Sequence, residues 1–332
     1  MVDVDELLAS ARVVRLPMRV RFRGITAREA VVFRGPAGWG EFAPFAEYDD
    51  AESSNWLRAG IEAAYEGFPD PVRTVVPINA TVPAVTAAQV PEVLSRFPGC
   101  RVAKVKVAEK GQSAEDDVAR VAAVRAALGP DGAVRIDANG GWTVPEAYAV
   151  ISQILEQGPL DYAEQPCRTV EELAELRALL AGACDVAADE SIRRADDPMR
   201  VAELGAADVA VVKVPPLGGV RAVLDVAAKL RAAAGVRVTV SSALDTAVGL
   251  TAGIAAAAAI PEGNAAGLGT GGFFTADLGT HPVVDGALRV AAVDPDEATI
   301  AAVEETGERR DWWLDRLRRC AALLPGSVGP AQ

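Results

Sequence analysis

The lysines of the segment "VAKVKVAEKG" (102–111) have a spacing that suggests chemistry. Lys104 and Lys106 stand two apart in an apolar stretch, and alternate residues of a β-strand point to the same face. Two ammonium groups on one face repel each other, so this placement costs stability unless the lysines have a role. A lysine that is partly desolvated beside other cations loses its proton more readily and can act as a general base.

Three carboxylates recur at intervals of about one βα unit. Asp137, Glu164 and Asp189 close the segments "RID", "YAE" and "AAD", and their spacings are 164 − 137 = 27 and 189 − 164 = 25 residues. Converging carboxylates repel one another unless a cation holds them, and ligation by oxygen alone favours a hard ion, Mg²⁺ above all. Two alternatives stay open: each acid taken alone is typical of a helix cap, and the lysines would also fit a network that only neutralises the acids.

A further lysine extends the pattern. Lys213 lies in "VVKVPP", 213 − 189 = 24 residues after Asp189. A base beside a divalent cation suits removal of the proton α to a carboxylate, since the cation stabilises the resulting enediolate. The one histidine, His281, excludes mechanisms that need a histidine dyad or a histidine-rich metal centre.

From residue 75 onward, short β-branched segments alternate with longer segments of helical period, which predicts a parallel sheet. The predicted strands are 76–82, 101–107, 134–139, 162–166, 186–191, 208–214, 236–242 and 265–270. Eight such units predict an α/β fold of the modified (β/α)8 TIM-barrel type, with an irregular last unit. The carboxylates then meet at the C-terminal ends of successive strands, and the second and sixth strands place their lysines on opposite sides. An open doubly wound sheet is the alternative, but no GxGxxG follows the first strand.

The sequence predicts three segments. Residues 1–75 read as an α+β capping domain, residues 76–270 as the catalytic barrel, and residues 271–332 as a segment that packs back on the capping domain, with Trp312 and Trp313 in the core. No repeat interrupts this organisation.

Composition limits the function classes. The 332 residues carry a net charge of −13, which disfavours binding to nucleic acid or to an anionic membrane surface. The longest apolar stretch, "AVGLTAGIAAAAAI", is too short to span a bilayer, and the acidic N-terminus lacks the pattern of a secretion signal, so we expect a cytoplasmic protein. Four cysteines without CxxC spacing indicate neither a disulfide framework nor a zinc site.

The paired lysines, the three carboxylates and Lys213 together resemble the muconate-lactonizing subgroup of the enolase superfamily, over nearly the whole chain. Within it, "GWGEFAPFAEY", "DYAEQPC" and "VVKVPPLGG" are similar to the actinobacterial dehydratases that form 2-succinylbenzoate for menaquinone biosynthesis. The resemblance implies a cytoplasmic hydro-lyase that acts on a small-molecule carboxylate, as a monomer or a homo-oligomer. It also implies that Asp137, Glu164 and Asp189 ligate Mg²⁺, which Mn²⁺ can replace.

The resemblance further implies roles for the lysines. Lys106 would remove the α-proton of 2-succinyl-6-hydroxy-2,4-cyclohexadiene-1-carboxylate and return it to the departing hydroxyl, so that water leaves from the same face. Lys104 would tune Lys106 and hold a carboxylate oxygen. Lys213 would stabilise the enediolate by its charge and a cation–π contact.

Other residues are expected around the substrate. The residues bordering its succinyl arm would be Ser241, Ser242, Gly267 and Thr270, and the loop 19–25 would close over the site. Glu190 and Arg135 would support the site, although Arg135 fits a structural ion pair equally well. Gly269 stands where relatives often carry an acid, so contacts there stay open.

The nearest rival activity uses the same residues. An N-succinylamino acid racemase would employ Lys106 and Lys213 as bases on opposite faces of Cα. A dipeptide epimerase and a muconate cycloisomerase fit the motifs less well, and a metal-binding barrel without catalysis leaves the paired lysines unexplained.

Overall fold

The computed structural model describes residues 2–22, 24–192 and 197–324. The strands are β1 (Arg12–Phe22), β2 (Ile25–Gly35), β3 (Gly38–Phe42), β4 (Val75–Pro77), β5 (Asn79–Val82), β6 (Val102–Lys106), β7 (Ala133–Asp137), β8 (Tyr162–Glu164), β9 (Val186–Ala188), β10 (Val209–Val212), β11 (Arg237–Val240) and β12 (Ala287–Arg289). The α-helices are α1 (Val4–Ser10), α2 (Asp50–Ile61), α3 (Val90–Leu94), α4 (Ala114–Leu128), α5 (Val144–Glu156), α6 (Val170–Leu180), α7 (Asp197–Glu203), α8 (Val214–Leu217), α9 (Val220–Ala234), α10 (Ala247–Ala259), α11 (Glu297–Ala301) and α12 (Gly307–Ala322).

Strands β5 to β11 form one parallel sheet in which each strand pairs with its predecessor in the barrel sequence. Isolated parallel bridges join Ile78 to Ala266 and Ser241 to Gly267. The Gly267 amide donates to the Val240 carbonyl at 2.8 Å. The segment 265–268 thus lies between β11 and β5 and fills the eighth position, so the predicted barrel with an irregular last unit is confirmed. A regular eighth strand does not form there, consistent with the low strand propensity of glycine.

The helices around the barrel begin at residues that the sequence indicates. Ser113 opens α4 with a capping box, since its hydroxyl accepts from the Asp116 amide at 3.3 Å and its own amide donates to the Asp116 carboxylate at 2.9 Å. Thr169 and Glu172 form the same arrangement at α6. These caps satisfy backbone amides at the helix N-termini. They therefore fix where each strand-to-helix loop ends.

Several barrel strands are shorter than the sequence predicts. The strand predicted over 162–166 ends at Glu164, where Gln165 has φ +37°. The strand predicted over 208–214 ends at Val212, and Lys213 is the N-cap residue of α8, whose first turn contains Pro215. Proline favours a helix start and cannot donate to a sheet ladder. The polar residues therefore stand at or just beyond the strand ends.

The N-terminal lobe contains the antiparallel sheet β1–β2–β3 with helices α1 and α2. Its apolar core includes α12, where Trp313 is 1% exposed and meets Phe42 edge to face at a centroid distance of 6.0 Å. Trp312 packs against Trp313 at 5.1 Å. The domain boundaries at 75 and 270 stay predictions, and residues 325–332 lie outside the described ranges. In those ranges, no helix combines the length and apolar character needed to cross a membrane.

Candidate active site

The charged residues singled out by spacing meet at the C-terminal ends of adjacent barrel strands. Those on strands are Lys104 and Lys106 on β6, Asp137 at the end of β7 and Glu164 at the end of β8. Asp189 follows β9 directly, and Lys213 follows β10. The parallel register sets Lys106 beside Asp137 and Asp137 beside Glu164. The structure thus brings all six together at the end of the barrel where such folds carry their active sites.

Each lysine ammonium is paired with a carboxylate. Lys104 contacts Glu164 and lies 3.0 Å from Asp137 Oδ2. Lys106 Nζ donates to Asp137 Oδ2 at 2.5 Å, and Lys213 donates to Asp189. Positive and negative groups therefore alternate around the rim, and charge pairing offsets the cost of burying them.

Burial and charge act in opposite directions on these groups. Burial, with the neighbouring Asp137 charge, raises the pKa of Glu164 to about 8. For Asp137, burial is outweighed by Lys104 and Lys106, which hold its pKa well below the usual range. For Lys104, burial is likewise outweighed by Asp137 and Glu164, so its pKa lies well above the usual value. Asp137 and Glu164 thus favour the charged form of Lys104, which places positive charge beside Lys106.

The carboxylates also have the chemistry of a cation site. Glu164 Oε2 is buried and has no hydrogen-bond partner among the described residues, and an oxygen in that state is costly unless a cation or donor reaches it. Across the same ranges, no three His, Cys, Asp or Glu side chains are arranged to hold a metal ion, and lysines take oxygens of Asp137 and Asp189. The donor type and the unsatisfied oxygen fit a hard divalent cation.

Asn139 is a site residue that the sequence reasoning missed. It has φ +47°, a conformation that asparagine tolerates better than most residues. Its Oδ1 accepts from Lys106 Nζ at 2.7 Å, and its Nδ2 donates to Glu190 Oε1 at 3.1 Å. Its backbone amide also donates to Asp137 Oδ1 at 3.1 Å. Asn139 thus orients Lys106 and connects it to Glu190, and its position two residues after a strand-end aspartate is the signal that could have identified it.

Gln165 was also missed, although "EQP" places a polar residue directly after Glu164. Gln165 is fully buried. Its Oε1 accepts from the Asp189 amide at 3.0 Å, and its Nε2 donates to Ser191 Oγ at 2.9 Å. The side chain therefore fixes the backbone that carries Asp189.

The residues predicted to border the substrate lie at the same end of the barrel as the lysines and carboxylates. They follow β11 or lie in and just after the eighth segment. Ser241 Oγ donates to the Gly267 carbonyl at 3.4 Å. Thr270 Oγ1 donates to Ser242 Oγ at 3.0 Å, and Ser242 Oγ donates to Asp245 at 2.9 Å. These four predicted residues are therefore neighbours, joined by hydrogen bonds or by the bridge between β11 and the eighth segment.

Arg135 lies on the same face of β7 as Asp137 but reaches toward the opposite end of the barrel. Its guanidinium donates to Asp161 at 2.7 Å and to the Ala265 carbonyl at 2.7 Å, and it stacks on Tyr162 at 4.6 Å. These contacts are structural, and a supporting role in the site stays a prediction. Of the loop predicted to close over the site, residue 23 lies outside the described part of the chain.

Comparisons with family models cover most of the sequence. Residues 86–311 match the model described as Enolase C-terminal domain-like, and residues 13–64 match Enolase N-terminal domain-like.

Known proteins resemble the chain along nearly its full length. The chain is 55% identical over 328 residues to o-succinylbenzoate synthase from Mycobacterium tuberculosis, with 98% of each chain covered. It is 54% identical over 323 residues to o-succinylbenzoate synthase from Mycolicibacterium smegmatis, which covers 97% of this chain and 98% of the relative. The crystal structure of muconate cycloisomerase from Pseudomonas fluorescens superposes with a TM-score of 0.75 at 22% identity, covering 90% of this chain and 98% of that one. That likeness shows a shared fold.

Proposed function

The chain belongs to the o-succinylbenzoate synthase family of the enolase superfamily, and on this premise we propose that it dehydrates 2-succinyl-6-hydroxy-2,4-cyclohexadiene-1-carboxylate to 2-succinylbenzoate. This activity is that of a hydro-lyase in menaquinone biosynthesis. Identity of 55% over 98% of the chain supports it. The observation that carries it is the placement of Lys106 on β6 and Lys213 after β10, across the barrel from each other, with three carboxylates at the ends of the intervening strands.

Enzymes of this family depend on a divalent metal, and here we propose Mg²⁺, with Mn²⁺ able to replace it. Asp137, Glu164 and Asp189 would hold the cation, and the unsatisfied Glu164 Oε2 supports this assignment. When bound, such a cation stabilises negative charge that develops on the substrate carboxylate.

The three lysines carry out the proton transfer and stabilise the negative charge of the intermediate. Lys106 Nζ takes the proton from the carbon α to the carboxylate, and the electron pair stays conjugated with that carboxylate as an enediolate. The carbon–oxygen bond then breaks, the ring becomes aromatic, and Lys106 returns the same proton to the departing hydroxyl, so that water leaves from one face. Lys104, held as a cation by two carboxylates, provides fixed positive charge beside Lys106. Lys213 stabilises the anion from the other side by its charge.

The remaining expectations are proposals that follow from this activity. The substrate is a small dicarboxylate whose succinyl arm lies against Ser241, Ser242, Gly267 and Thr270, and the enzyme is cytoplasmic. Glu190 supports Lys106 through Asn139, from which it accepts a hydrogen bond.

A paired assay tests the proposal. Purified protein loaded with Mg²⁺ is given the cyclohexadiene substrate, and loss of its absorbance is followed; a parallel sample is given an N-succinylamino acid and followed by polarimetry. We expect fast dehydration that stops on chelation and returns with Mg²⁺. Racemisation without dehydration in a folded, metal-loaded sample would contradict the proposal and favour the racemase, which the opposed lysines also suit.

A further inference from the structure

Arg28 of β2 connects the N-terminal lobe to a barrel loop. It is 2% exposed. Its Nε donates to the Leu244 carbonyl at 2.9 Å, its Nη2 contacts the Ala43 carbonyl, and its guanidinium lies 4.3 Å from the Phe45 ring centroid. One buried side chain therefore holds both the lobe segment that follows β3 and the loop 242–245 that follows β11.

The loop that Arg28 holds is under strain. Leu244 has φ +65°, a backbone conformation that is unfavourable for a residue with a bulky side chain. Asp245 is 3% exposed, and its Oδ1 has no hydrogen-bond partner among the described residues. The positive charge of Arg28 acts on this carboxylate and opposes the cost of burying it. Arg28 thus contacts this loop in two ways, by a hydrogen bond to its backbone and by its charge beside Asp245.

The same loop sets two of the proposed substrate-binding hydroxyls. Asp245 Oδ2 accepts from Ser242 Oγ at 2.9 Å, and Ser242 Oγ accepts from the Leu244 amide at 3.0 Å. Thr270 Oγ1 then donates to Ser242 Oγ at 3.0 Å. A continuous series of contacts therefore runs from the lobe to the eighth segment of the barrel.

We propose that Arg28 is a positioning residue for the substrate-binding wall of the site. By holding the Leu244 carbonyl it fixes the orientation of Ser242 and Thr270, and so sets how tightly the succinyl arm is bound. This inference rests on the proposed function. Arg28 donates to backbone carbonyls of the lobe and the loop and lies outside the group of lysines and carboxylates. Its loss should therefore weaken substrate binding and leave the proton-transfer step largely intact.

Three variants test the inference. Arg28→Met removes the charge and the hydrogen bonds but keeps the apolar stem beside Phe45, and Arg28→Lys restores a charged donor. Arg73→Met is the matched control, because Arg73 also donates to barrel carbonyls, at Ala257 and Pro261, but at the far end of α10. In Arg28→Met we expect KM and the Kd of 2-succinylbenzoate to rise about tenfold, with kcat within about twofold, because Ser242 and Thr270 are then no longer held in the orientation that binds the succinyl arm. Arg28→Lys should recover part of the loss, and Arg73→Met should match the wild type.

A double-mutant cycle separates positioning from general support of the fold. If Arg28 acts through Thr270, the double variant Arg28→Lys/Thr270→Val raises the Kd of 2-succinylbenzoate by less than the fold-changes of the two single variants multiplied together. Multiplicative effects, an unchanged KM, or a loss confined to kcat would overturn the inference. If Arg28→Met does not fold, this cycle decides alone. Wild type that fails to dehydrate the substrate overturns both this inference and the proposed function, whereas active wild type with unaltered Arg28 variants overturns only this inference.

Discussion

Glu41 at the end of β3 provides a quantitative test of how the lobe is attached to the barrel. Glu41 is 8% exposed, and its carboxylate accepts from the backbone amides of Thr246 at 3.2 Å and Gly249 at 3.3 Å, at the N-terminus of α10. Burial, together with the charge of Asp245, raises the pKa of Glu41 from 4.5 to about 7. Ionised Glu41 therefore costs folding free energy, although the helix N-terminus partly favours its charge.

The sign and size of the effect follow from linkage. At low pH Glu41 is protonated in both folded and unfolded chains and contributes nothing. As pH rises above 4.5, Glu41 ionises first in the unfolded chain. The folded state therefore loses stability until the pH passes the pKa of Glu41 in the folded protein. One pKa unit corresponds to ~1.4 kcal/mol, so the loss reaches roughly 3 kcal/mol. Because Glu41→Gln cannot ionise, its unfolding free energy relative to wild type should increase by that amount between about pH 4 and pH 8.

Urea denaturation of wild type and Glu41→Gln over this pH range measures the difference. Glu29→Gln serves as a control of opposite sign. Burial disfavours the Glu29 charge, but bonds from Arg309 and Trp313 outweigh it and lower the pKa of Glu29. The Glu29 charge therefore stabilises the fold above its ordinary pKa, and Glu29→Gln should lose stability relative to wild type as pH rises. The reasoning would be refuted if the unfolding free energy of Glu41→Gln relative to wild type did not change with pH, or if it fell with rising pH as that of Glu29→Gln should.

Three other predictions concern the site and the core. Asn139→Gly, which keeps the left-handed backbone but loses the 2.7 Å bond to Lys106, should lower kcat about tenfold in steady-state assays; an unchanged kcat would contradict the orienting role. Trp313→Ala should cost roughly 3–5 kcal/mol in urea denaturation, and Trp312→Ala, at a half-buried position, should cost less; equal costs would contradict the packing described. Chelation of divalent cations should abolish dehydration without changing the circular dichroism spectrum, and activity in metal-free protein would contradict the cation site.

The parts predicted from sequence are those set by local periodicity. The alternation of strands and helices specified the barrel, because each βα unit carries its own pattern of apolar residues and caps, as at Ser113 and Thr169. The period of two placed Lys104 and Lys106 on one face. Regular spacing then placed Asp137 and Glu164 at neighbouring strand ends.

The rest depends on contacts between segments that are distant in sequence. The pairing of Lys104 with Glu164 follows from strand register and burial, which one strand does not reveal. The contact of Arg28 with Leu244 joins residues 216 positions apart. The shortened strands at Gln165 and Lys213 reflect backbone turns that no periodicity shows.

The central claim is that Lys106 is the base, and Lys106→Ala tests it most directly. The variant is compared with wild type and with Lys110→Ala, which removes an exposed lysine nearby in sequence, in the dehydration assay with Mg²⁺. We predict that Lys106→Ala folds as wild type does, that its kcat falls by about 10²- to 10⁴-fold, and that Lys110→Ala stays at the wild-type rate. Dehydration by folded, metal-loaded Lys106→Ala within about tenfold of wild type would contradict the assignment, because general base catalysis contributes more than that.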